Sequence, residues 1–400
     1  MGTRKIAIIG AGLAGCSVAY ELSKIGDFDI TIFDKNCQIA DDASGNFAGI
    51  LAPYLTSDNN YSDQFHTLGY KLLLGFIDEY KDNLEICNKG MLQILNDEKE
   101  QGRHTKIFRI RDIPKDLASL LDRQQTFKLL NKELNVPAAV YYPNALSLVP
   151  KSICQLWLKL SNAKLILDTE LVDIKKLDSN GWLLEFDNFN ERFDIVIFTG
   201  GYELFKKISY LQKIPVYPSQ GQLTVINKTF DIKDTVIGKG YIIPNYKDNL
   251  QVIGATFREN NDTTGEIRDS DNEYNLFQIK QMLPGLSKAD INIVDSRVAT
   301  RCVTSDHLPL VGRLVDFDKF EQDFYKPLSK GYPKSKMPQV EYENGLYLSS
   351  GFGSKGLCSS LLAAKIITCQ IINQPDIVSE KLLEALSPQR FWVRSFKKKL

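Results

Sequence analysis

The chain has 400 residues with 49 basic and 49 acidic side chains, so its formal net charge is zero. This balance excludes a general electrostatic attraction to nucleic acid but permits a local basic patch. The length predicts two domains. No apolar run reaches the roughly 18 residues that cross a bilayer, so we expect a cytoplasmic protein with no membrane partner.

The seven cysteines are scattered along the chain and include no C-x-x-C pair. This spacing predicts neither a zinc site nor a disulfide framework. We therefore expect reduced thiols and no bound metal.

Near the amino terminus, an apolar run leads into the turn Gly10-x-Gly12-x-x-Gly15, and a second apolar run ends at Asp34. The first glycine permits a tight turn, the second lets a pyrophosphate approach the backbone, and the third lets the following helix pack closely on the strand. An acidic residue at the end of the second strand accepts hydrogen bonds from ribose hydroxyls. The pattern predicts a dinucleotide site and favours FAD or NAD over NADP.

Three later segments contain small or glycine-rich turns of the same kind. Ser44-Gly45-Asn46 is a small polar loop, Thr199-Gly200-Gly201 follows a buried strand, and residues 351–356 precede an apolar helix. A glycine turn that opens a helix favours anions, because the helix dipole is positive at that end. A cofactor contacted by segments so far apart in the chain must be long, which favours FAD over NAD.

Apolar residues at helical spacing predict a helix from Asp63 to Tyr80. Strands outnumber helices between about residues 202 and 297, which indicates a second, sheet-rich domain. The sequence therefore predicts two discontinuous domains and two peripheral segments. These are a cofactor domain of residues 1–80, 146–204 and 297–400, a substrate domain of residues 81–145 and 205–296, an exposed insertion at residues 316–341, and a basic tail at residues 385–400.

Four longer segments carry a resemblance to a known family: Ala43–Pro53, Thr304–Gly312, Gly351–Leu357 and Pro388–Arg394. With the glycine turns, they resemble the D-amino-acid-oxidase and glycine-oxidase class of flavoproteins. Within that class, they are most similar to the FAD-dependent oxidoreductase half of the MnmC family of bifunctional tRNA wobble-uridine enzymes. The resemblance implies an α/β protein of the D-amino-acid-oxidase fold, with a glutathione-reductase-like FAD-binding Rossmann domain and a second substrate domain rich in antiparallel sheet.

The resemblance also implies a reaction. In that family, the FAD half oxidises the carboxymethylaminomethyl group on the wobble uridine of certain tRNAs, so that glyoxylate leaves and an aminomethyl uridine remains. FAD is then the cofactor and tRNA the partner. Because the nucleotide-binding strand begins at residue 5, we expect a stand-alone form without the companion methyltransferase domain, which leaves a separate methyltransferase as a candidate partner.

The substrate group in that reaction is an N-substituted glycine, whose carboxylate calls for a guanidinium fork. The resemblance places Arg301 in this role, with Arg297 as the alternative, and adds Tyr241 as a second carboxylate contact. It implies that Lys355 stabilises negative charge on the flavin and that His307 hydrogen-bonds near it. Each has a structural alternative: a salt bridge for Arg301, strand packing for Tyr241, surface exposure for Lys355 and a turn for His307.

The carboxyl-terminal segment interleaves basic and aromatic residues. Cations neutralise phosphates and aromatic rings stack on unpaired bases, so Arg390 and Arg394 are predicted RNA contacts, with a solvated tail as the alternative. Two departures from the family pattern leave the substrate preference open. Gln220 stands where relatives commonly have arginine, and Phe257 replaces a more polar residue.

Most predicted cofactor-binding residues come from the glycine turns and the acidic strand end. They are Gly10, Gly12, Leu13, Ala14, Gly15, Asp34, Lys35, Ser44, Gly45, Asn46, Val172, Thr199, Gly200, Gly201, Gly353, Ser354, Lys355, Gly356 and Leu357. Two rival functions are an FAD-dependent oxidase of a free small amino acid, such as glycine or sarcosine, and a non-catalytic flavin-containing RNA-binding protein. The presence of Arg301 argues against the second rival. An NAD dehydrogenase is least favoured, because the dispersed glycine turns would then have no purpose.

Overall fold

The computed structural model describes residues 3–130, 138–178, 180–258, 264–283 and 291–398. Contacts between residues divide the chain into two compact units. The first unit contains residues 1–44, 154–218 and 301–400, and the second contains residues 45–153 and 219–300.

The described strands, in chain order, are β1 (Arg4–Ile9), β2 (Phe28–Phe33), β3 (Gly49–Leu51), β4 (Ile86–Leu95), β5 (Ser119–Asp122), β6 (Ala138–Leu148), β7 (Lys164–Ile166), β8 (Leu171–Lys176), β9 (Trp182–Phe186), β10 (Asn190–Phe193), β11 (Ile195–Phe198), β12 (Tyr217–Asn227), β13 (Thr235–Ile237), β14 (Tyr241–Lys247), β15 (Leu250–Gly254), β16 (Ile293–Val303), β17 (Leu310–Arg313) and β18 (Leu346–Ser350). The described helices are α1 (Leu13–Ser23), α2 (Tyr61–Tyr80), α3 (Glu98–Ile110), α4 (Arg123–Leu130), α5 (Pro150–Ser161), α6 (Tyr202–Lys207), α7 (Ser209–Gln212), α8 (Asp269–Met282), α9 (Phe317–Ser329), α10 (Gly356–Ile371), α11 (Glu380–Leu386) and α12 (Arg390–Lys397).

The first unit is built on a six-stranded sheet in the order β17-β18-β11-β1-β2-β7. Its strands are parallel except for β17, which runs antiparallel to β18. β11 and the second half of β1 are continuous buried apolar runs, as expected for a parallel sheet with both faces covered. The carboxyl ends of β1, β2 and β11 therefore lie at one edge, which is where open α/β sheets bind ligands. A small antiparallel sheet, β10-β9-β8, completes the strands of this unit.

The second unit is built on a larger sheet in the order β16-β12-β15-β14-β13-β4-β6-β3, with β5 paired to β6. Most of its pairs are antiparallel, and β13 with β4 is a parallel pair. Two of the apolar clusters that form its core include alternating residues of β4. Leu92 and Ile94 pack in one cluster, and Met91 and Leu95 pack in the other.

The boundaries of the two units fall at residues that differ from the expected domain boundaries. Residues 45–80, 146–153 and 297–300 group with the second unit, and residues 205–218 group with the first. The physical reason is pairing and packing that sequence periodicity does not reveal. β3 pairs with β6 through Gly49 and Leu148, while Phe205 and Leu211 pack in the core of the first unit.

Neither peripheral segment is a loose surface chain. Within the expected insertion, α9 buries Phe320, Phe324 and Leu328. Within the expected tail, α12 buries Trp392 and Phe396, and the Trp392 Nε1 donates to the Lys213 carbonyl at 2.8 Å. Aromatic rings of the two helices pack together, with the Phe320 and Phe396 centroids 6.3 Å apart. The expected exposed insertion, and the alternative of a solvated tail, are therefore corrected to two packed amphipathic helices.

Candidate active site

The first glycine turn connects β1 to α1 with very little space. Gly10 has a φ of +118°, and its N–H donates to the Phe33 carbonyl at 2.8 Å. A β-carbon at position 15 would lie 1.8 Å from the Gly10 carbonyl oxygen, and one at position 10 would lie 3.0 Å from the Gly200 nitrogen. The geometry brings the turn after β1 against the turn after β11 and leaves backbone, rather than side chains, facing a ligand.

The amino ends of α1 and α10 lie side by side. A β-carbon at Gly356 would be 3.3 Å from Leu13 Cδ1, and the Ser17 hydroxyl donates to the Ser360 carbonyl at 3.1 Å. Neither helix has an acidic residue in its first turn or a side-chain cap of its own. Two helix amino ends that lie together favour an anion, so the arrangement fits the diphosphate of a dinucleotide.

Ser44 and Asp34 frame the same helix end. The Leu13 N–H donates to the Ser44 hydroxyl at 3.0 Å, while the Asp34 carboxylate accepts from the Ala11 N–H at 2.6 Å and from the Asn36 N–H at 2.9 Å. Burial raises the pKa of Asp34, and the two backbone hydrogen bonds oppose that rise. The carboxylate is thus held at the end of β2, where an acidic group accepts from a ribose.

The third turn follows β11 and is fastened to the first. The Thr199 hydroxyl hydrogen-bonds to the carbonyls of Ile9 and Gly10, both at 2.9 Å. The Ser350 hydroxyl donates to the Gly200 carbonyl at 2.7 Å, which joins the end of β18 to this turn. Three strand ends of the first unit therefore meet at one place.

Arg301 is attached to the late glycine turn through its chain neighbour. The Gly353 N–H donates to the Cys302 carbonyl at 2.9 Å, so the end of β16 lies against the turn that opens α10. The Arg301 side chain is buried, with 9% of the residue exposed. Burial also raises the pKa of the Cys302 thiol to about 12, so this cysteine stays neutral. The role expected of Arg301 at the substrate carboxylate stays a prediction.

Lys355 precedes α10 in the late turn and is half-buried. Burial lowers its pKa to about 8. The ammonium is therefore mostly protonated at neutral pH and becomes neutral in mild alkali. Such a group can stabilise negative charge on a bound cofactor in a way that depends on pH within the physiological range.

Several predicted residues lie in the second unit or away from the turns. Gly45, Asn46, Tyr241 and Arg297 belong to the second unit. Tyr241 begins β14 opposite Gly254, where a β-carbon would lie 3.1 Å from its hydroxyl oxygen. Arg297 is a partly buried residue of β16. Val172, on β8 of the first unit, is 52% exposed.

The remaining cofactor candidates flank the two glycine turns. Ala14 is buried in the first turn of α1. Ser354 is exposed in the late turn, and Leu357 is buried at the start of α10. Lys35 is a surface residue with its amino group 3.8 Å from the Asp42 carboxylate. Gly201 precedes α6.

Two of the segments that carry the family resemblance, Asp306–Pro309 and Arg390–Arg394, contact each other. Arg390 donates to both carboxylate oxygens of Asp306 at 2.9 Å and to the Leu308 carbonyl at 2.7 Å, and Arg394 donates to Asp306 at 2.5 Å. We call these three charged residues the Asp306 clamp. His307, exposed and with a φ of +59°, forms the turn that the clamp holds.

The Asp306 clamp contradicts the RNA contact expected of Arg390. The guanidinium of Arg390 is buried, and its hydrogen-bond donors are used within the protein. Its residue is 5% exposed, and it also donates to the carbonyls of Leu386 and Ser387. Arg394 is 47% exposed but is engaged by the same carboxylate. The clamp instead fastens α12 to the segment that follows Arg301.

Replacing Arg390 should strongly destabilise the first unit. Arg390→Ala leaves a half-buried carboxylate with one exposed partner, a class of change that costs about 3–5 kcal/mol in the free energy of unfolding. Arg394→Ala, the matched control, removes a largely exposed cation and should cost much less. Chemical denaturation of both variants gives the comparison. Equal losses of unfolding free energy in the two variants would show that the buried pair of Arg390 and Asp306 does not dominate the clamp.

The clamp also predicts a pH dependence. Burial would raise the pKa of Asp306, but the hydrogen bonds and charge of Arg390, with help from Arg394, outweigh burial and lower the pKa to about 2. A lowered folded-state pKa stabilises the fold above the ordinary value near 3.8, and that stability is lost as the pH falls towards 2. The wild type should therefore lose more unfolding free energy between about pH 4 and pH 2 than Arg390→Ala does.

One charged residue near the departures from the family pattern was missed by sequence reasoning. Arg258, in the second unit, donates to the Gln220 side-chain oxygen at 2.6 Å and pairs with Asp271. Gln220 in turn donates to the Thr300 hydroxyl at 3.1 Å. A cation therefore stands beside Gln220 although residue 220 itself is neutral. No local motif marks Arg258, because it is brought to Gln220 by pairing across the sheet. Phe257, its neighbour, is 68% exposed.

All seven cysteines are free thiols. Within the described ranges, no group of three or more His, Cys, Asp or Glu side chains has a geometry that could hold a metal ion. In the same part of the chain, no helix combines the length and apolar character needed to cross a membrane.

Comparison with known proteins identifies the family. The family described as FAD dependent oxidoreductase (DAO) matches residues 5–370. The chain belongs to this family. The expected cofactor, FAD, and the expected enzyme class, an FAD-dependent oxidoreductase, are thereby confirmed.

The curated relatives of this DAO-family chain include bifunctional tRNA-modifying proteins. It is 29% identical over 407 residues to the tRNA 5-methylaminomethyl-2-thiouridine biosynthesis bifunctional protein MnmC of Burkholderia orbicola, covering 99% of this chain and 61% of that protein. It is 28% identical over 402 residues to the MnmC protein of Aliivibrio fischeri, covering 97% and 58%. The chain thus spans about three fifths of the length of these relatives.

Solved structures confirm the predicted fold of this DAO-family chain. Glycine oxidase from Geobacillus kaustophilus superposes with a TM-score of 0.78 at 20% identity, covering 97% of this chain and 99% of that one. L-proline dehydrogenase from P. horikoshii superposes with a TM-score of 0.75 at 16% identity, covering 98% of each chain. At these identities the likeness supports the fold alone.

Proposed function

We propose that this protein removes the carboxymethyl group from 5-carboxymethylaminomethyl(-2-thio)uridine at the tRNA wobble position and leaves 5-aminomethyl(-2-thio)uridine. The observation that carries the proposal is the buried Arg301, whose neighbour Cys302 is hydrogen-bonded to the late glycine turn. The relatives named for biosynthesis of 5-methylaminomethyl-2-thiouridine in tRNA support the substrate class. A tRNA substrate would place the reaction in the cytoplasm.

The residues divide the work between holding the cofactor and holding the substrate. The turns at Gly10, Thr199 and Gly353, with Asp34 and Ser44, would hold FAD, which supplies the two-electron oxidation when bound. Arg301 binds the substrate carboxylate through two parallel N–H donors. Arg297 and Tyr241 are proposed as further substrate contacts, and His307 as a group near the flavin.

In the proposed reaction, FAD would be the oxidant of the substrate's carbon–nitrogen bond. The methylene between the substrate nitrogen and the carboxylate loses two electrons and a proton, and the nitrogen loses its proton, which gives an imine. Water adds to the imine carbon, the carbon–nitrogen bond breaks, and glyoxylate leaves from the aminomethyl uridine. Lys355, protonated below about pH 8, supplies positive charge at the late turn.

A second candidate is an oxidase of free glycine, sarcosine or a similar small amino acid. The fold likeness to glycine oxidase favours it, because the same carboxylate contact would serve a free amino acid. The two candidates differ in what surrounds the reacting group, since a tRNA enzyme must accept a nucleotide attached to a long anionic chain.

The test uses tRNA from cells that lack this activity. Incubation with FAD-loaded protein should convert the carboxymethylaminomethyl nucleoside to the aminomethyl nucleoside, as read by nucleoside mass spectrometry, with glyoxylate in equal amount. Free glycine and sarcosine, assayed in parallel, should be poor substrates. Rapid turnover of either amino acid with unchanged tRNA would favour the second candidate. A methyltransferase acting on the aminomethyl product is a proposed partner in the same pathway of modification.

A further inference from the structure

The exposed face of α3 in the second unit is strongly basic. Lys99, Arg103, Lys106 and Arg109 are all exposed, and their spacing places them on one side of the helix. At 1.5 Å per residue, they extend over about 15 Å. We call these four residues the basic face.

The acidic residues of α3 are confined to its amino end. Asp97 caps the helix by accepting from the Glu100 N–H at 2.8 Å. Glu100 turns back and accepts from the Asn96 N–H at 2.8 Å. Asp97 and Glu100 are therefore used within the first turn, where the exposed Glu98 also lies, as the helix dipole favours. They do not neutralise the cations further along the helix.

The basic face also has no protein counter-charge. Elsewhere on the surface, Lys175 and Lys206 have carboxylate oxygens at 2.5 Å and 2.9 Å. Within the ranges that the structure describes, no salt bridge or side-chain hydrogen bond involves any of the four residues of the basic face. The four positive charges are therefore available to an external anion.

The opposite side of α3 fixes the basic face in place. His104 and Ile107 are buried, and Phe108 packs against the core cluster that contains Met91 and Leu95. Most of the apolar side of the helix is thus buried in the protein core, and its outer surface is polar except for Ile110 at its end. A helix of this kind presents cations at fixed spacing but has no apolar face to insert into a membrane.

One residue between the cations of the basic face is a glycine, and packing within the described protein does not require a glycine there. Gly102 lies in the second turn of α3, between Lys99 and Lys106, and a β-carbon there would meet no described atom within 4 Å. Glycine in a helix interior costs about 1 kcal/mol relative to alanine. A position that carries this cost without any internal neighbour is suited to close approach of another backbone.

We infer that the basic face binds the phosphate backbone of the tRNA substrate, outside the nucleotide that reacts. This inference rests on the proposed function for the identity of the RNA. Lysine and arginine side chains neutralise phosphates without reading sequence, so the face holds the RNA in position and does not select the base. The zero net charge of the chain makes such a local patch necessary for attraction to a polyanion.

The test is a charge reversal in the FAD-loaded full chain. Arg103→Glu with Lys106→Glu should weaken binding of fluorescently labelled tRNA at least tenfold at moderate salt. The slope of log Kd against log salt should fall by about 1.4–1.8, since each lost phosphate contact accounts for about 0.7–0.9. The FAD content of the variant, read from its flavin absorbance, should be unchanged, because the altered side chains are exposed on a helix surface.

The matched control is Lys71→Glu with Lys280→Glu, which changes the net charge equally. Both lysines are exposed, on α2 and α8, and Lys280 shares its helix with Asp269 and Asp271. The control should bind tRNA within about twofold of wild type. Equal loss of binding in both variants would overturn the inference, since net charge alone would then explain it.

Further outcomes separate this inference from the proposed function. If wild type oxidises tRNA and the Arg103→Glu, Lys106→Glu variant binds tRNA equally well, the basic face is not the RNA contact, although the proposed function stands. If wild type neither binds nor oxidises tRNA, the proposed function fails and this inference fails with it. Loss of binding to phosphatidylserine vesicles, with tRNA binding unchanged, would also overturn the inference in favour of a membrane.

Discussion

Arg301→Ala should lose about a hundredfold or more in kcat/KM on the modified tRNA while the protein stays yellow. Truncating one partner of a buried, hydrogen-bonded charge pair costs about 2–5 kcal/mol, and each 1.4 kcal/mol is a factor of ten. Cys302, the chain neighbour of the buried Arg301, accepts the Gly353 N–H of the late glycine turn, and Arg301 itself lies outside the glycine turns expected to hold FAD. We therefore expect the substrate to lose its contact and FAD to remain.

Two further variants sharpen the Arg301 result. Arg301→Lys keeps the charge but loses the planar fork, so it should recover part of the loss and leave KM raised. Arg297→Ala tests the alternative carboxylate contact and should reduce kcat/KM less than Arg301→Ala does. If Arg301→Ala retains wild-type kinetics and Arg297→Ala does not, the carboxylate role belongs to Arg297.

Gly15→Ala should lose FAD almost completely. The new β-carbon would lie 1.8 Å from the Gly10 carbonyl oxygen and 2.9 Å from the Thr199 hydroxyl, and neither neighbour is the free end of a flexible side chain. α1 must then move away from β1, which displaces the helix end from the first glycine turn. Absorbance of the flavin in the purified variant, before and after incubation with FAD, measures the loss.

Gly75→Ala is the matched control for Gly15→Ala. Gly75 is also a helix residue, in α2, but a β-carbon there would meet nothing within 4 Å. The control should bind FAD as wild type does, with stability unchanged or raised by up to about 1 kcal/mol. Normal FAD content in Gly15→Ala would contradict the close packing on which the cofactor site depends.

Local chemistry explains why the cofactor turns could be predicted from sequence. Gly10 adopts a positive φ in the tight turn, and Gly15 must lie against the Gly10 carbonyl five residues away, so these local requirements leave a short motif. The helix expected at Asp63–Tyr80 is observed at Tyr61–Tyr80, because its apolar spacing is also local. Its assignment to a unit was wrong, since periodicity does not indicate which sheet a helix packs against.

Partners that are distant in the chain could not be predicted. Arg390 and Asp306 are 84 residues apart, and Arg258 and Gln220 are 38 apart. A basic and aromatic segment at the end of the chain resembles an RNA-binding tail until its guanidinium is found buried against a carboxylate. In α9, the apolar spacing of Phe320, Phe324 and Leu328 was present, but the surrounding charges and Pro327 favoured a loop interpretation.

The most direct measurement of the central claim is the reduction of bound flavin by tRNA without oxygen. Anaerobic mixing of FAD-loaded protein with tRNA that carries carboxymethylaminomethyl uridine should bleach the oxidised flavin absorbance, at one flavin reduced per modified nucleoside consumed. The same tRNA lacking the carboxymethyl group should leave the absorbance unchanged. Bleaching by free glycine but not by the modified tRNA, or no bleaching by either, would contradict the account.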